Sequence, residues 1–581
     1  MYQPDSLNLE ALDPLLDRTA LDGRTQLIPV LLQAQQLYGH LPEAVMARIS
    51  ERLHVPLAEI QSVTDFYSML YDQPMGTTII RVCTSPRCQQ AGGEDVLRVL
   101  CDYLQIRPGE TTPDGRYTIE EVPCLCLCDM APAALVGEKP VGWIDPTAAE
   151  EILNFPQPLP LGHVGGEPRW KTARCGTMTP TDLEAYRESG GFQGLRKTLL
   201  DFTPAQVITE IKYSGLVGRG GAAFPTGLKW QYTAHASDPV RFLVCNGDES
   251  EPGTFKDRVL MEGDPFLVLE GMIIAGYAIG AGRGYIYVRG EYPRAQDILN
   301  TAISIARQSG YLGNDILGSG FDFEIELRSG AGAYVCGEET ALFESIEGKR
   351  GYPRLKPPYP TTEGLFGKPT VINNVETLAA AAWIMSNGAD LYRSVGTEKS
   401  PGSKLFCLSG DVMQPGVYES PFGISLRELL DIAGGPIGEL QTVLLGGAAG
   451  AFIRPDQLSL SMSFEGLQEH GLSLGSGVVM AINHQHDLRQ TLLSLARFFA
   501  HESCGKCYPC QLGTQRQLEI MEKVAEGSAT ERDMDALRDV GYTMTNASIC
   551  GLGSTAATAI LSALNLWPEL FTQHGGDLRG I

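Results

Sequence analysis

Four cysteines near the C-terminus have a spacing that can bring their thiolates together. In HESCGKCYPC, Cys504, Cys507 and Cys510 stand three residues apart, so one loop entering a helix can aim three thiolates at a common point. Cys550, in NASICGLG, can supply the fourth. Four thiolates with this spacing are typical of a [4Fe–4S] cluster. A four-cysteine zinc site and unligated structural thiols are the alternatives that the motif leaves open.

A second group combines two cysteine pairs. Cys83 and Cys88 have four residues between them, and Cys124 and Cys128 have three. Two pairs on two loops suit a [2Fe–2S] cluster, in which each iron takes two thiolates. Cys126 complicates the assignment because alternate residues of an extended loop face the same side. We favour Cys124 and Cys128 as ligands; buried thiols without metal are the alternative.

A glycine-rich loop, GRGGAAFPTGLKW at 218–230, contains G-x-G-x-x-A, a variant of the dinucleotide-binding fingerprint. The preceding VITEIKYSGLV favours a helix rather than a strand, so the loop lacks the usual Rossmann context. Its bare backbone can approach a phosphate or a flat ring beside Arg219 and Lys229. A simple glycine turn is the alternative.

Two further loops carry carboxylates. VCNGDESEPGTFKDR follows a predicted strand and holds Asn246, Asp248, Glu249 and Glu251. Such a density of acid disfavours phosphate and suits ribose hydroxyls, amides or ring N–H groups, whereas a solvated acidic loop is the alternative. GAGAYVCGEETALFESIEGKRG places Glu338 and Glu339 at a predicted helix start, where carboxylates are electrostatically favoured with or without a ligand.

A basic segment follows in KRGYPRLKPPYP. It gathers four cations and two aromatic rings in an otherwise acidic chain: Lys349, Arg350, Arg354, Lys356, Tyr352 and Tyr359. Cations interleaved with aromatic faces can help to hold an anionic dinucleotide. A solvated proline-rich loop explains the segment equally well.

The chain as a whole is long and acidic. Its 581 residues exceed what one hydrophobic core supports, and its formal charge of −24 argues against non-specific binding to nucleic acid or to an anionic membrane. The N-terminus shows no secretory signal, and the apolar stretch 271–282 is shorter than the ~20 residues that cross a bilayer. We therefore expect a cytoplasmic protein without direct membrane insertion, whose cysteines bind metal rather than form disulfides.

Local patterns predict a multidomain α/β protein. Alternating glycine loops, short strands (RFLVCNGDE, YIYVRGEY, FEIELRSG) and helical stretches indicate a nucleotide-binding domain in its middle. The predicted regions are a helical bundle at 1–75, a small α/β domain at 76–155, a Pro- and Gly-rich linker with neither helix nor strand at 156–180, the nucleotide-binding domain at 181–400, a β-rich domain with one helix at 401–487, and a helical bundle at 488–581.

These motifs together resemble the NADH-binding flavoprotein subunit of respiratory complex I and its relatives in NAD-linked hydrogenases and formate dehydrogenases. The resemblance runs from about Thr181 to the C-terminus through GRGGAAFPTGLKW, NGDESEPGTFKDR, GAGAYVCGEETAL, RLKPPYP, GKPTVINNVETL and ESCGKCYPC with Cys550. Residues 1 to about 155 resemble the partner [2Fe–2S] subunit through the four-cysteine pattern and DFYSML. The chain thus resembles a fusion of two subunits. The likeness implies a thioredoxin-like fold at 76–155, a Rossmann-like fold at 181–400 and a ubiquitin-like β-grasp fold at 401–487.

The resemblance also implies the cofactors and their contacts. FMN would lie against Gly218, Arg219, Gly220, Gly221, Lys229, Asn246, Asp248, Tyr334, Gly337, Glu338, Asn373, Asn374 and Thr377. NADH would stack over the flavin, with Phe224 and Tyr359 at the adenine, and with Lys229, Glu251 and Glu339 at the nicotinamide nucleotide. Glu249, on the same acidic loop, is a further cofactor-binding candidate. Cys504, Cys507, Cys510 and Cys550 would hold the accepting [4Fe–4S] cluster.

Two residues depart from the family pattern. Ala223 stands where the family usually has Gly, and Cys126 stands where its [2Fe–2S] loop often has Gly. We expect the first change to tighten the NADH pocket. The second leaves the choice of [2Fe–2S] ligands open.

We expect an NADH dehydrogenase, or diaphorase, module. NADH gives up two electrons as hydride, whereas an iron–sulfur cluster accepts one, and a flavin can join the two kinds of step. The hydride step needs no acid–base side chain, and the electrons would leave to a partner iron–sulfur subunit. The alternatives are the diaphorase of an NAD-linked hydrogenase or formate dehydrogenase running in either direction, and a non-catalytic iron–sulfur relay or docking protein that has lost its flavin.

Overall fold

The computed structural model describes residues 8–154 and 158–572. Residues 156–157 of the predicted linker, and the ends of the first and last predicted regions, lie outside these ranges. Within them, no helix combines the length and the apolar character needed to span a membrane. The described chain forms helices and sheets of a mixed α/β protein, as predicted.

The N-terminal helices follow the predicted apolar spacing: α1 (Asp13–Thr19), α2 (Leu27–Tyr38), α3 (Glu43–Leu53) and α4 (Leu57–Thr64). The segment after α4 lies on the glycine loop at 330–337. Met69 N donates to Ala331 O at 2.9 Å, and the buried Tyr67 hydroxyl donates to Lys349 O at 2.9 Å. The helical region therefore supports a predicted cofactor loop, a role that its sequence did not indicate.

A four-stranded sheet in the order β2-β1-β3-β4 follows: β1 (Thr78–Cys83), β2 (Tyr117–Val122), β3 (Ala134–Val136) and β4 (Lys139–Val141). β1 pairs parallel to β2 and antiparallel to β3. Helices α5 (Pro86–Gln90) and α6 (Gly93–Leu104) come directly after β1. TTIIRVC forms β1 and GEDVLRVLCDYL forms α6, in agreement with the predicted small α/β domain. Cys83 therefore lies at a strand end and Cys88 lies on α5.

The central sheet is entirely parallel, in the order β8-β7-β6-β9. Its strands, three of which were predicted from sequence, are β6 (Phe242–Gly247), β7 (Arg283–Val288), β8 (Glu324–Ser329) and β9 (Thr370–Asn374). The chain moves outward from β6 to β8 and then returns to the other side of β6. Ligands of open α/β sheets bind outside the carboxyl ends of the strands at such a switch point. In this sheet the point lies between β6 and β9.

The helices around this sheet are α7 (Leu183–Glu188), α8 (Gln193–Asp201), α9 (Pro204–Tyr213), α10 (Thr226–Ala234), α11 (Lys256–Gly263), α12 (Pro265–Ile279), α13 (Pro293–Gln308), α14 (Glu339–Ile346), α15 (Val375–Asn387) and α16 (Ala389–Arg393). The apolar stretch predicted to be a buried helix forms most of α12, whose side chains are nearly all buried. α12 packs closely on α15, and a β-carbon added at Gly271 would lie 2.2 Å from Leu378 O. Because α15 starts at the end of β9, this packing positions the switch point.

A third sheet has the order β13-β12-β14-β10-β11-β5. Its elements, with two helices, are β5 (Val164–Gly165), β10 (Ser403–Gly410), β11 (Gly416–Pro421), α17 (Leu426–Ile432), β12 (Leu440–Leu445), β13 (Ala451–Ile453), α18 (Phe464–Gln468) and β14 (Val478–Asn483). The segments KLFCLSGDV, TVLLGG and GVVMAI form β10, β12 and β14, and ISLRELLDIAGG forms α17, in agreement with the predicted β-rich domain. The short α18 is a second helix, whereas one was predicted.

One part of the linker prediction is wrong. Val164–Gly165 of the 156–180 segment forms β5 and pairs parallel to β11. Lys171 is 1% exposed, and its ammonium group donates to Glu419 Oε1 at 2.8 Å. Proline and glycine do break regular structure, but they leave the residues between them free to add to an exposed sheet edge. The segment is therefore bound to the third sheet.

The sequence after 488 is helical, as predicted: α19 (Leu488–Glu502), α20 (Tyr508–Ala525), α21 (Glu531–Ala547), α22 (Gly551–Thr555), α23 (Thr558–Leu566) and α24 (Glu569–Thr572). Cys504 lies in the loop between α19 and α20, and Cys507 is the residue before α20. Cys550 is the residue before α22. Residues 573–581 of this predicted bundle lie outside the described ranges.

The α12–α15 contact predicts that Gly271→Ala destabilises the protein. Alanine gains about 1 kcal/mol of helix propensity over glycine, but the new methyl group must displace backbone at Leu378, and overpacking of this kind costs about 1–3 kcal/mol. We expect a lower urea midpoint, measured by tryptophan fluorescence. Gly282→Ala is the matched control, because a β-carbon there would meet its nearest atom only at 4.0 Å. Equal midpoints for the two variants would contradict the prediction.

Candidate functional site

Four thiols meet where the loop after β1 faces the loop after β2. The Cys83 thiol contacts the thiols of Cys88 and Cys124, and the Cys124 thiol also contacts Cys128. All four are buried. Cys126 is turned differently, because its sulfur lies 3.0 Å from Arg289 Nη1. The structure thus brings together the four cysteines that we favoured from sequence.

The second cysteine set lines a single small cavity. Cys504, Cys507, Cys510 and Cys550 all face it, together with Pro353 and Lys506. Cys510 is buried and the other three are partly exposed. The thiols of Cys504, Cys507 and Cys510, from one loop and the first turn of α20, face this cavity as predicted. Cys550, directly before α22, supplies the fourth thiol. Four soft sulfur donors around one cavity fit a [4Fe–4S] cluster in donor chemistry and number.

Among the described residues, no group of three or more His, Cys, Asp or Glu side chains has the geometry of a metal-ion site. The fit of both cysteine sets to clusters therefore rests on donor chemistry and on shared location. Sulfur-only donor sets suit iron–sulfur clusters and zinc.

The predicted flavin residues converge at the carboxyl ends of β6 and β9. Asn246 Nδ2 donates to Gly337 O at 2.9 Å, which joins the loops after β6 and β8. Asp248 Oδ1 accepts from Ser250 Oγ at 2.9 Å, whereas Asp248 Oδ2 is buried with no hydrogen-bond partner among the described residues. An unpaired buried carboxylate oxygen is costly unless a ligand satisfies it. Burial also raises the pKa of Asp248 to about 8.

The glycine loop is fixed against the start of α15. Arg219 N donates to Thr377 Oγ1 at 2.9 Å, and Gly220 lies against Asn374. A β-carbon at Gly218 or Gly221 would meet its nearest atoms at 3.7 Å, an ordinary van der Waals distance, so neither glycine is tightly packed and a small space remains beside each. This space can admit a flat ring or a phosphate group close to the backbone.

Arg219 contributes its backbone rather than its guanidinium. The side chain is 1% exposed, donates to the Tyr392 hydroxyl at 2.5 Å and stacks 4.7 Å from the Phe422 ring centroid. Asn373 is similarly engaged, because its Oδ1 accepts from Trp230 Nε1 at 2.8 Å. The side chains of Arg219 and Asn373 are therefore bonded to other protein groups and support the crevice.

Two of the predicted cofactor carboxylates have structural partners. Glu249 accepts from the backbone N–H groups of Asp257 and Arg258, each at 2.9 Å, and so caps α11. Glu338 caps α14, with Oε2 accepting from Thr340 N and Ala341 N at 2.9 Å. This is the electrostatic role that a helix start offers a carboxylate without a ligand.

Three of the residues predicted to bind NADH, Lys229, Glu339 and Phe224, lie together. Lys229 Nζ is 3.8 Å from Glu339 Oε2 and 5.9 Å from the Phe224 ring centroid, and Glu339 Oε1 accepts from Lys356 Nζ at 2.5 Å. Burial lowers the pKa of the Lys229 ammonium. Phe224 is 44% exposed and Tyr359 is 59% exposed, so both rings have free surface on which a ligand ring can stack.

Glu251 and Tyr334 lie where other regions meet the crevice. Glu251 Oε1 accepts from Ala449 N at 3.0 Å, and burial raises its pKa to about 7. Tyr334 N donates to Glu502 Oε2 at 3.0 Å, and its ring packs edge-on against Phe498. The third sheet and the C-terminal helices therefore both contact the predicted nucleotide site.

A buried ionic cluster behind the crevice was missed from sequence. Glu376 accepts from Lys404 Nζ at 2.9 Å and pairs with Lys256 Nζ at 3.2 Å, and all three side chains are at most 1% exposed. Burial alone would raise the pKa of Glu376, but the lysines lower it to about 2. Lys404 stands in the otherwise apolar strand SKLFCLSG, which is the one signal that could have revealed the cluster.

Known family models match the chain in three places. The Nuo51 FMN-binding domain matches residues 211–383, the thioredoxin-like [2Fe–2S] ferredoxin matches 13–155, and the NADH-ubiquinone oxidoreductase-F iron–sulfur binding region matches 490–574. The NAD-reducing hydrogenase HoxS subunit alpha of Cupriavidus necator is 37% identical over 581 residues, spanning 97% of this chain and 95% of its own.

The chain belongs to the family of FMN- and iron–sulfur-dependent NADH oxidoreductase subunits. An NADH-quinone oxidoreductase subunit of Aquifex aeolicus is 47% identical over 394 residues, which cover 68% of this chain and 91% of that protein. The solved structure of an NAD+-reducing [NiFe]-hydrogenase in the H2-reduced state matches with a TM-score of 0.83 and 35% identity, covering 96% of this chain and 93% of that one.

The residues that match the FMN-binding domain, 211–383, include the switch point and Asp248, whose Oδ2 is unpaired. The two iron–sulfur matches include the two cysteine sets. The thioredoxin-like prediction is confirmed by the family match, and the FMN, [2Fe–2S] and [4Fe–4S] regions all lie on one chain. Asp248 Oδ2 and the bare glycine backbone supply an acceptor and space, so the residues present fit a flavin.

Asp248→Asn should change both pH-dependent stability and FMN affinity. The folded-state pKa of about 8 exceeds the unfolded value near ~4. Between these two values the Asp248 carboxyl group is protonated in the folded chain and ionised in the unfolded chain. Its contribution to the free energy of unfolding therefore falls as pH rises from about 4 to about 8. In the cofactor-free variant we expect a smaller fall in urea midpoint between pH 5 and pH 8.

FMN binding by the same variant should weaken by about tenfold, because the single amide oxygen of Asn cannot both accept from Ser250 Oγ and replace the unpaired Oδ2 as an acceptor. FMN fluorescence quenching measures this affinity. The exposed Asp102→Asn serves as control and should match the wild type in both experiments. Unchanged pH dependence in Asp248→Asn would show that its carboxyl titrates normally.

Proposed function

We propose that this chain is the NADH-oxidising module of a larger complex. It takes a hydride from NADH onto FMN and passes single electrons through iron–sulfur clusters to a partner subunit. The observation that carries the proposal is the unpaired, buried Asp248 oxygen at the switch point of an FMN-binding domain whose chain also bears both cysteine sets.

FMN, when bound, supplies the chemistry that links a two-electron donor to one-electron acceptors. The protein residues bind and orient. Backbone at Gly218 and Gly221 would allow close approach of the ring, and Asp248 Oδ2 would accept a hydrogen bond from it. The third sheet closes one side of the crevice through the contact of Glu251 with Ala449, which limits entry of water. Since hydride moves without a proton, none of these side chains has to act as acid or base.

We also propose that NADH enters between Phe224 and Tyr359, whose exposed rings suit the adenine. Lys229, Lys356 and Glu339 form a linked set beside this entrance. A dinucleotide carries phosphates that the two ammonium groups can pair with, and ribose hydroxyls that the Glu339 carboxylate can accept from. Glu249 and Glu338 act in the same site by holding helix starts in place.

Glu339→Gln should raise the KM for NADH by about tenfold and leave kcat unchanged, because the lost contact is made equally before and during hydride transfer. An NADH–ferricyanide assay on the FMN-loaded protein measures both constants. Glu398→Gln, on an exposed loop, is the control. Loss of turnover at saturating NADH would place Glu339 in the chemical step instead.

The fused architecture favours the diaphorase of an NAD-linked hydrogenase among the possible complexes. The hydrogenase subunit from Cupriavidus necator matches over 97% of this chain, whereas the match to the quinone oxidoreductase subunit from Aquifex aeolicus covers 68%. Purifying the native complex and assaying H2-dependent NAD+ reduction tests this assignment. NADH–ferricyanide activity of the chain alone separates it from a non-catalytic relay.

We further propose the domain limits 1–75, 76–155, 156–180, 181–400, 401–487 and 488–581, with a ubiquitin-like fold for 401–487 and a Rossmann-like fold for 181–400. The mixed sheet β13-β12-β14-β10-β11 with one helix packed on it supports the former. The parallel sheet β8-β7-β6-β9 supports the latter.

The partner is proposed to dock beside the [4Fe–4S] cysteines. A cavity of about 740 Å³ there contains Arg24, Lys349, Arg350, Arg354 and Lys506, against the carboxylates of Glu59 and Glu344. Such a basic surface is unusual on a chain with a charge of −24. Lys506 stands between two cluster cysteines, and the nearby Tyr508 and Leu355 are 78% and 71% exposed. Five cations outnumber two carboxylates here, and exposed apolar side chains beside a surface of net positive charge are typical of a protein interface.

Lys506→Glu should weaken attachment of the partner by a few-fold to about tenfold, since a rim charge would then repel a complementary acidic surface. The measurement is the salt concentration at which the copurifying iron–sulfur subunit dissociates from the native complex. Lys399→Glu, outside this cavity, is the control. NADH–ferricyanide activity should stay unchanged, and unaltered salt stability would argue for docking elsewhere.

A further inference from the structure

Cys126 adopts an unusual backbone conformation for its residue type. Its φ is +52°, in the left-handed region that favours glycine. Ala223, the other departure from the family pattern, has the same φ but presents only a methyl group. The Cys126 side chain is fully buried. A strained conformation of this kind persists where surrounding contacts over-determine it.

Those contacts place the Cys126 sulfur between a guanidinium and a proposed cluster ligand. Arg289 Nη1 donates to Cys126 Sγ at 3.0 Å. Cys126 Sγ lies 3.6 Å from Cys124 Sγ and 3.6 Å from Glu251 O.

Arg289 is rigidly held. Its guanidinium is paired with both carboxylate oxygens of Glu291, and it also donates to Glu249 O at 2.9 Å and to Cys124 O at 2.8 Å. The thiol therefore faces a donor on one side and two candidate acceptors on the other.

The choice between the two acceptors follows from charge. A cysteine that ligates iron is a thiolate with no proton to donate, so in the sulfur–sulfur contact the donor is Cys126. A thiolate is also a stronger acceptor than the neutral carbonyl of Glu251. Donation from Arg289 to the same sulfur polarises its S–H bond. Each of the two hydrogen bonds, from Arg289 to Cys126 and from Cys126 to Cys124, therefore strengthens the other.

We propose that Cys126 is a positioning residue whose S–H group donates a hydrogen bond to Cys124 Sγ and thereby raises the reduction potential of the [2Fe–2S] cluster. Hydrogen bonds to the sulfurs are among the determinants of cluster potential. A donor stabilises the reduced cluster, which carries more negative charge, over the oxidised one. The inference rests on the proposed function, in which Cys83, Cys88, Cys124 and Cys128 hold this cluster.

The test is an EPR-monitored redox titration of the [2Fe–2S] signal in the cluster-loaded full chain. Cys126→Ala keeps the backbone strain and Cys126→Gly removes it. Both remove the S–H donor and keep the backbone N–H of residue 126, which donates to Cys124 Sγ at 3.3 Å. Each should lower the equilibrium constant for cluster reduction by roughly twofold to roughly tenfold, which is at most about 59 mV for one electron. Cys126→Ser keeps a donor and should retain most of the wild-type potential.

The matched control is Cys101→Ala, a partly exposed thiol on α6 of the same region, which should show the wild-type potential. Wild-type potentials in both the alanine and glycine variants would show that the proton goes to Glu251 O, and would overturn the proposal. So would a serine variant that behaves like the alanine variant, because the effect would then come from packing.

Iron and acid-labile sulfide contents distinguish a failure of this inference from a failure of the proposed function on which it rests. Cys124→Ser should lose the [2Fe–2S] signal, whereas every Cys126 variant should keep it. Loss of iron in Cys126→Ala would make Cys126 a ligand. It would overturn the inference but not the proposal that the wild-type chain holds a [2Fe–2S] cluster. A wild-type chain without any [2Fe–2S] signal would overturn both.

Discussion

The carboxylate of Glu376 is the interaction on which the flavin crevice depends. It lies fully buried between Lys404 on β10 and Lys256 at the start of α11, while Leu405 N donates to its other oxygen at 2.9 Å. Because Glu376 stands in the first turn of α15, this one group ties the switch point of the parallel sheet to the third sheet. A buried charge left without its partner is strongly destabilising, so the three elements can only come together as a set.

The [2Fe–2S] region is attached to the flavin region by a second set of buried charges. Arg258 Nη2 contacts both oxygens of Asp129 at 3.0 and 3.1 Å, directly after Cys128. Arg289 reaches Cys124 O from the end of β7. Arg258 lies in the first turn of α11, and Arg289 directly follows β7, so both arginines come from the flavin region. A chain that carries both regions has this contact at high effective concentration, whereas separate subunits would have to associate first.

The molecule separates its chemistry by surface character. The crevice proposed for hydride transfer combines glycine backbone, one unpaired carboxylate and exposed aromatic rings, and acid–base groups are not needed there. The cavity beside the [4Fe–4S] cysteines is basic and edged by exposed apolar side chains. The first surface suits the planar rings of a dinucleotide, and the second is proposed to bind a protein.

Sequence alone determined the cysteine spacing, the order of the strands and helices, and the family, because these depend on local periodicity and on the types of neighbouring residues. It identified β6, β7 and β8 and the four thiols at 504–550 for that reason. Only the tertiary structure decided which way a side chain points. Cys126 turns to Arg289 and Arg219 turns away from the crevice because their partners lie 163 and 173 residues away along the chain. Glu249 caps α11 through Asp257 N, and this contact depends on how the loop between them folds. Glu338 caps α14 directly after it, a role that its position at a predicted helix start already favoured. The Glu376 cluster and the pairing of Val164–Gly165 with β11 each join separate elements, and contacts of this kind leave no local pattern.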